Sequence, residues 1–336
     1  MALDGNIASL DPDLPIATIP AASTLRPDGV SMPTFRYVTL DVFTTERFGG
    51  NQLAVFPDAT GLEASDMQRI AAEFNYSEVT FVFPPDDPAH TARVRIFEPT
   101  GELPFAGHPN VGTAFLLGQM GSLFGRPVGD TLRFEELGGI VAAQLLRDGS
   151  KITGARIRAP QPLQVRAEIE PETVAACASL AAGDIVTTHH RPVIASVGLP
   201  FALAELRSVE ALGRARPDFA AFRSADARYR QPEVSFSLLL YARIANSPTT
   251  LRTRMFALLS NILEDPATGS ASAALGGYLT TLMPQPDAEA RFTLHQGVEM
   301  GRPSVIEVHA AKTAGEVRRV EVGGPCVPVM RGEIEL

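Results

Sequence analysis

The sequence predicts an α+β fold of two pseudo-repeated lobes, in which each lobe is a strand-rich shell around one central α-helix. A motif of the form Glu-x-Pro-x-x-Gly occurs at 102–107 and again at 264–269, and each copy lies shortly after an Arg-x-Phe strand end, at 95–97 and 254–256. Each copy also leads into a run of small and apolar residues, and a helix that is apolar on all sides is a buried helix. We therefore interpret the chain as one structural unit used twice.

In the first half, residues typical of strands occur in four runs separated by glycine, proline or helical segments. The predicted strands are 35–43, 51–56 (after the glycine turn at 48–50), 79–83 and 91–97. Between the second and the third strand, the apolar residues of 62–74 recur at helical spacing, and Ser65 is the predicted N-cap. The first central helix opens at His108 and Pro109, because proline is tolerated in the first turn of a helix.

In the second half, we expect strands at 192–197, 202–206, 233–245, 249–255, 304–309 and 318–322, a short helix at 209–212 and the second central helix at 271–282. Glycine and proline residues near 150–165 indicate a crossover between the lobes. The N-terminal lobe is therefore predicted to span 34–150 and the C-terminal lobe 151–324, with the strand near 325–336 as a candidate to return to the first lobe. Residues 1–33 lack hydrophobic periodicity and are predicted to form a disordered tail.

Composition argues against several classes of protein. Charged residues make up 20% of the chain and the formal net charge is −9, with no basic run, which argues against a nucleic-acid partner. No apolar stretch approaches the roughly 18 residues of a membrane-spanning helix, so no membrane partner is expected. Cys177 and Cys326 are too few for a disulfide framework and fit a reducing cytoplasm. Because no zinc-ligand spacing and no glycine-rich nucleotide loop occurs, we expect neither a metal nor a cofactor.

The two repeated loops hold most of the candidates for chemistry. If the two helix N-termini face each other they form a site for an acidic substrate, because the N–H groups and the dipole of a helix N-terminus favour anions. His108 follows the glycine of the first loop and Ser270 follows the glycine of the second, so the two are pseudo-equivalent. Taken singly, His108, Asp265 and Ser270 each also fit a helix cap. The matched loops instead suggest two walls of one cleft.

Glu78 is the candidate acid/base residue. It lies between a predicted helix and a predicted strand, beside the apolar side chains of Phe74 and Val79. Partial burial raises the pKa of a carboxylate and makes it a usable proton carrier near neutral pH. The alternative is an exposed loop glutamate, which is the commoner situation for a charged residue.

Four segments in this order resemble the PhzF (phenazine biosynthesis-like) isomerase family: Phe-Gly-Gly-Asn at 48–51, Asn-Tyr-Ser-Glu-Val-Thr-Phe at 75–81, Gly-Glu-Leu-Pro-Phe-Ala-Gly-His-Pro at 101–109 and Glu-Asp-Pro-Ala-Thr-Gly-Ser-Ala at 264–271. The resemblance covers about residues 34–336. It implies a diaminopimelate epimerase-like fold, in which each lobe is a curved mixed or antiparallel β-sheet barrel wrapped around a central α-helix. It also implies an active site between the lobes, no cofactor and a homodimer.

The same resemblance implies roles for individual residues. The residue that matches Glu78 is the acid/base residue of the family, and those that match His108, Asp265 and Ser270 line the pocket and assist proton transfer. We therefore expect catalysis from Glu78, His108 and Asp265, and substrate binding by Ser270, Gly107, Gly269, Thr268 and Asn51.

The chain departs from the family and its relatives in two places. The epimerase relatives use one cysteine in each lobe, whereas neither repeated loop holds a cysteine here, so a two-thiol racemase is a poor interpretation. The stretch 256–263 lacks the proline and the glycine that are common in the family, so this part of the substrate pocket is expected to differ.

The resulting hypothesis is a cofactor-independent isomerase. It would move a proton on a small acidic metabolite, cyclic or amino-acid-like, by general acid/base catalysis in the cleft between the lobes. The alternatives are a non-catalytic protein that binds a small ligand in the same cleft, and a lyase or hydrolase that uses the same glutamate.

Overall fold

The computed structural model describes residues 33–232, 234–245 and 247–336, and the predicted tail up to residue 32 lies outside them. The strands are β1 (Thr34–Val42), β2 (Asn51–Phe56), β3 (Glu78–Phe83), β4 (Ala92–Glu98), β5 (Gly101–Leu103), β6 (Ser122–Leu123), β7 (Arg126–Pro127), β8 (Thr131–Glu136), β9 (Gly139–Asp148), β10 (Lys151–Arg158), β11 (Gln164–Glu168), β12 (Val193–Ser196), β13 (Pro200–Leu206), β14 (Leu238–Ile244), β15 (Ser247–Ala257), β16 (Ile262–Asp265), β17 (Ala288–Gln296), β18 (Ser304–Thr313) and β19 (Glu316–Glu335). The helices are α1 (Ala64–Phe74), α2 (Gly107–Met120), α3 (Pro171–Ala178), α4 (Val209–Arg214), α5 (Phe219–Tyr229) and α6 (Gly269–Thr281). Within the described ranges, none of the helices combines the length and the apolar character that crossing a membrane requires.

Eight strands close the N-terminal barrel. Their order around it is β1, β2, β3, β4, β8, β9, β10 and β19, and β19 pairs back with β1. All neighbours are antiparallel except β2–β3 and β4–β8, which are parallel. Helix α2 runs through this barrel, and every residue from Gly107 to Gly118 is buried. Closure pairs the backbone of each strand on both sides and leaves no edge strand.

The C-terminal barrel repeats this strand arrangement around α6, although no pairing between β11 and β19 closes it among the described residues. Its strands follow the order β11, β12, β13, β14, β15, β17, β18 and β19, again with two parallel pairs, β13–β14 and β15–β17. Residues from Gly269 to Thr280 of α6 are all buried. Because β10 also pairs with β19 and leads into β11, it joins the two barrels. Two barrels, each with a central helix, confirm the predicted α+β fold.

The long strand β19 belongs to both barrels. Its first part pairs with β18, its middle with β10, and its last part, from Cys326 to Glu335, with β1. The main hydrophobic core accordingly combines the interiors of both barrels. Two smaller cores lie on the outer faces, one under α3, α4 and α5 and one under α1.

Several elements differ from the predictions. Helix α1 begins at Ala64 with Glu63 as its N-cap, so Ser65 lies within the first turn and does not cap it. The predicted crossover near 150–165 is mostly the strands β10 and β11. Strands β8, β9 and β17 and helices α3 and α5 were not predicted. In all of them except β8, alanine, glutamine or arginine at several positions weakens the hydrophobic pattern.

The repeated motifs form the same ion pair in both lobes. Arg95 donates two hydrogen bonds to Glu102, at 2.7 and 2.6 Å, and Arg254 donates two to Glu264, at 2.8 and 2.7 Å. Each guanidinium also lies over the phenylalanine two residues later, at 5.1 Å in the first lobe and 5.0 Å in the second. Each pair braces the strand that leads into a loop of the site.

We expect the second pair to contribute more to stability than the first. The Arg254 and Glu264 side chains are 5% and 12% exposed, against 23% and 21% for Arg95 and Glu102. Removing one partner of a buried pair leaves an uncompensated charge, so Arg254→Gln should lower the free energy of unfolding by about 3 kcal/mol. Arg95→Gln should lower it by about 1 kcal/mol, since water screens the remaining charge. Urea unfolding of both variants at neutral pH measures the difference, and equal losses would contradict it.

Candidate active site

The N-termini of the two central helices meet at the junction of the barrels. Gly107 and Gly269 are the first residues of α2 and α6. A Cβ on Gly107 would lie 2.8 Å from the backbone nitrogen of Ser270, and a Cβ on Gly269 would lie 3.1 Å from the ring of Phe43. The first contact is too close for any side chain, so residue 107 needs glycine, and at residue 269 the Phe43 ring would have to shift by a few tenths of an ångström to admit one. The repeated glycine of the motif therefore allows the two helix ends to approach each other.

These helix ends favour an anion. Neither the N-cap of α2, Ala106, nor that of α6, Thr268, accepts a hydrogen bond from its helix through its side chain, and neither first turn carries an acidic residue. Two positive dipole ends therefore converge without a carboxylate cap of their own. Backbone N–H groups in this arrangement stabilise a carboxylate or a developing oxyanion.

Glu78 begins β3 and points into this junction. The preceding helix α1 stops at Asn75, which adopts a left-handed conformation with φ of 51°, and the chain then turns directly into the strand. The Glu78 side chain is 15% exposed, and its Oε2 atom is buried without a hydrogen-bond partner. Burial, together with the nearby charges of Asp265 and Glu98, raises the pKa of Glu78 well above its usual value. The alternative of an exposed loop glutamate is wrong.

His108 lies beside Glu78 as the second residue of α2. Its Nε2 atom is 3.4 Å from Glu78 Oε2 and 3.3 Å from the carbonyl oxygen of Gln52. Its Nδ1 atom faces the side-chain nitrogen of Asn51 at 3.4 Å, and an amide N–H can only donate. The carbonyl oxygen of Gln52 can only accept, so the proton lies on Nε2 and is directed at Gln52. Burial lowers the pKa of His108 to about 3, so the imidazole is neutral at physiological pH.

Asp265 approaches the same point from the C-terminal lobe, as the last residue of β16. It accepts hydrogen bonds from Thr268 Oγ1 at 2.5 Å, from Asn51 Nδ2 at 2.9 Å and from Ser77 Oγ at 3.4 Å. Burial nevertheless raises the pKa of Asp265, and these donors only partly offset it. Asn51 also donates to the carbonyl oxygen of Ala267 at 2.9 Å, so one buried amide connects the two lobes across the site.

Gln296 is a component of the site that the sequence analysis missed. It is fully buried at the end of β17, and its side-chain nitrogen donates to Asp265 O at 2.8 Å and to Thr268 Oγ1 at 3.0 Å. Its Oε1 atom accepts from the backbone nitrogen of Thr268 at 3.2 Å. Alternate residues of β17 face the barrel interior, and Gln296 follows Phe292 and Leu294 in this series. A polar residue at an inward position was the sequence signal that could have identified it. The sequence analysis also missed Ser77, which directly precedes Glu78 and donates a hydrogen bond to Asp265.

The remaining predicted residues lie where the repeat places them. Ser270 is the second residue of α6, the position that His108 occupies in α2, and its backbone nitrogen is the atom that Gly107 approaches. The interpretation of His108, Asp265 and Ser270 as helix caps is wrong, since the N-cap positions belong to Ala106 and Thr268.

The arrangement provides the parts of a proton-transfer site. A carboxyl group with a raised pKa lies next to a neutral imidazole, and a second carboxyl group with a raised pKa approaches from the other lobe. Carboxyl groups tuned in this way can take up and release protons near neutral pH. The two helix ends supply positive potential for a substrate anion alongside them.

Known proteins share both the sequence and the fold. A sequence profile of the family described as phenazine biosynthesis-like protein, PhzC-PhzF, matches residues 40–332. The chain is 38% identical over 306 residues, 90% of its length and 99% of the relative, to an uncharacterized isomerase of Mesorhizobium japonicum. It is 35% identical over 301 residues, 89% of its length and 99% of the relative, to the trans-2,3-dihydro-3-hydroxyanthranilate isomerase of Pseudomonas chlororaphis. The crystal structure of a PhzF-family phenazine biosynthesis protein of Bacillus anthracis matches with a TM-score of 0.79 at 24% identity, covering 91% of this chain and 100% of that one.

Proposed function

The chain belongs to the phenazine biosynthesis-like (PhzC-PhzF) family and is an isomerase, and we propose that it moves a proton on a small acidic metabolite by general acid/base catalysis between its two barrels. The observation that carries the proposal is the environment of Glu78. Its Oε2 atom is buried without a hydrogen-bond partner, 3.4 Å from a neutral imidazole, at the point where two helix N-termini meet. A carboxyl group without internal partners is free to exchange a proton with a substrate.

Glu78 acts as the carbon acid/base residue in this proposal. Its ionised form accepts a proton from a substrate C–H, and the electron pair of that bond shifts into the adjacent unsaturated system. The protonated carboxyl then returns a proton to a different carbon on the same face, so the molecular formula is unchanged. The raised pKa of Glu78 favours the first transfer, because a weaker acid has a more basic conjugate.

The other groups act on the heteroatom side of the substrate. His108 is neutral and can donate from Nε2 or relay a proton, and Asp265 can hold a second proton. Ser270 and the backbone N–H groups of the helix ends bind the substrate carboxylate and stabilise a developing oxyanion. Gly107, Gly269, Thr268 and Asn51 shape this part of the pocket. No step requires a redox partner.

The converging helix ends support an acidic substrate. The relative from Pseudomonas chlororaphis is named for trans-2,3-dihydro-3-hydroxyanthranilate, which makes this compound the first candidate substrate. The family resemblance also leads us to propose a homodimer in the cytoplasm. Sedimentation of the purified protein tests its oligomeric state.

Product analysis tests the proposed function. We expect the protein to convert trans-2,3-dihydro-3-hydroxyanthranilate, or a related cyclic or amino-acid-like acid, to a product of the same mass and a different NMR spectrum. A product that has gained water or lost water or ammonia would identify a hydrolase or a lyase. Saturable binding of such acids without any product would identify a ligand-binding protein instead.

A further inference from the structure

Glu136 is a buried carboxyl group outside the set that the mechanism uses. It is the last residue of β8, and it continues the inward row of Leu132 and Phe134, both of which are fully buried in the N-terminal barrel. Both of its carboxyl oxygens are buried, and neither has a hydrogen-bond partner among the described residues. An ionised carboxylate in such a position is strongly destabilising.

The Asn110 side chain interacts with the Glu136 carboxyl and has an unpaired atom of its own. Asn110 donates from Nδ2 to the carbonyl oxygen of Ala106 at 2.9 Å, which fixes the orientation of its amide. Its Oδ1 atom is buried without a donor. Ala106 is the N-cap of α2, and His108 follows two residues later. Asn110 therefore fastens the loop that positions the imidazole.

In the C-terminal barrel, the residue at the equivalent position is Gln296, and both its amide nitrogen and its amide oxygen are hydrogen-bonded. Gln296 ends β17 as Glu136 ends β8, and it continues the inward row of Phe292 and Leu294. Its amide both donates and accepts at the N-cap of α6, through Thr268 Oγ1 and the backbone nitrogen of Thr268. The loop that precedes α6 is therefore held by a neutral side chain that can donate hydrogen bonds.

We propose that Glu136 is a neutral carboxylic acid that interacts with the Asn110 side chain, and that it thereby positions the loop that carries His108. A protonated carboxyl is the closest chemical equivalent of the glutamine amide in the other barrel, since it offers one donor and one acceptor. One proton would remove the negative charge that burial disfavours at Glu136. Glu136 is thus a positioning residue. Its effect on turnover rests on the proposed function, whereas its protonation does not.

The charges around Glu136 agree with a neutral group. On its own strand, Glu135 faces the opposite side and is bonded to His90 and to two backbone N–H groups. On the neighbouring strand β4, Arg93 and Arg95 pair with other carboxylates, and on α2 His108 is uncharged. The residue opposite on β9 is Gly139.

Among the described residues no cation shifts Glu136, and burial raises its pKa to about 8, which the adjacent Asn110 amide only partly opposes. The usual value for a glutamate in an unfolded chain is about 4.3. The folded protein therefore holds a proton that the unfolded chain has lost at neutral pH.

Thermal unfolding as a function of pH tests the protonation without any substrate. Because the folded-state pKa is raised, the stability due to protonated Glu136 is complete below about pH 4 and is lost as pH rises to about 8. Glu136→Gln has no such loss. The difference between its Tm and that of wild type should therefore grow in its favour between about pH 5 and pH 8, and should stay constant above about pH 8. The matched control is Glu135→Gln, whose carboxyl has a lowered pKa and should give no such gain. Parallel curves for wild type and Glu136→Gln across this range would overturn the proposal.

Kinetics test the positioning role separately. We expect Glu136→Gln to keep kcat at neutral pH and to remove a decline in kcat that wild type shows above about pH 8. Glu136→Ala should lower kcat by about 10- to 100-fold with little change in KM, since a small misplacement of a catalytic group has effects of this size. Equal losses of kcat in both variants at neutral pH would overturn the positioning role. If the proposed function fails and no turnover is found, the unfolding curves still decide the protonation.

Discussion

Replacing Glu78 with glutamine is expected to lower kcat by about 100- to 10,000-fold, the range of a general acid/base residue, while substrate binding is retained. The amide has the same shape as the carboxyl group and cannot exchange a proton with carbon. Stability should not fall, because Glu78 Oε2 has no hydrogen bond to lose and a group with a raised pKa is costly to keep ionised. Steady-state kinetics and ligand binding by calorimetry measure both effects.

The matched control for this variant is Glu98→Gln. Glu98 ends β4, and its charge contributes to the raised pKa of Glu78 without being assigned a proton-transfer role. Its removal should lower the pKa of Glu78 modestly, shift the pH dependence of kcat to lower pH, and leave kcat within severalfold of wild type. If Glu98→Gln were as inactive as Glu78→Gln, or Glu78→Gln kept substantial activity, the assignment of Glu78 would be wrong.

Adding one methyl group at Gly107 is the second change with a large expected effect. A Cβ there would lie 2.8 Å from the backbone nitrogen of Ser270, and backbone at the start of a packed helix cannot move aside easily. Overpacking of this kind lowers stability by about 1–3 kcal/mol. The two helix ends must also separate, which displaces His108 and the N–H groups of α6, so kcat/KM should fall by about 100-fold.

Gly101→Ala is the control for Gly107→Ala, since it lies in the same segment and a Cβ there would meet nothing within 4 Å. It should unfold and turn over like wild type. Urea unfolding and kcat/KM measured side by side separate the two positions. Wild-type activity in Gly107→Ala would mean that the contact between the helix ends is not needed for the site.

The fold was predictable where the two halves of the chain repeat a local pattern. The Arg-x-Phe strand end, the Glu-x-Pro-x-x-Gly loop and the apolar helix all occur twice, and the structure pairs Arg95 with Glu102 and Arg254 with Glu264. A return of the strand near 325–336 to the first lobe was predicted as a candidate, but one continuous strand β19 that pairs with β18, β10 and β1 in turn had no comparable local signal. Its partners β1, β10 and β18 are distant in sequence, and pairing at such separations is set by the whole sheet.

The candidate site was predictable to a similar extent. Glu78, His108 and Asp265 lie close together in the structure. His108 and Asp265 were candidates from the repeated loops, whereas Glu78 was a candidate from its place between a helix and a strand and from the family resemblance. Gln296, which bonds Asp265 and Thr268, was not predicted, and neither was the buried Glu136. Each is a single polar residue at the end of an inward apolar row, and a sequence pattern alone does not distinguish it from an exposed residue at the end of a strand.

The most direct test of the central claim is proton NMR of the substrate in heavy water, with wild type and Glu78→Gln compared at equal concentration. Proton transfer through the Glu78 carboxyl predicts that wild type forms an isomer carrying solvent deuterium at carbon, while Glu78→Gln forms none over many wild-type turnovers. Deuterium incorporation at the wild-type rate in Glu78→Gln would contradict the claim that Glu78 moves the proton.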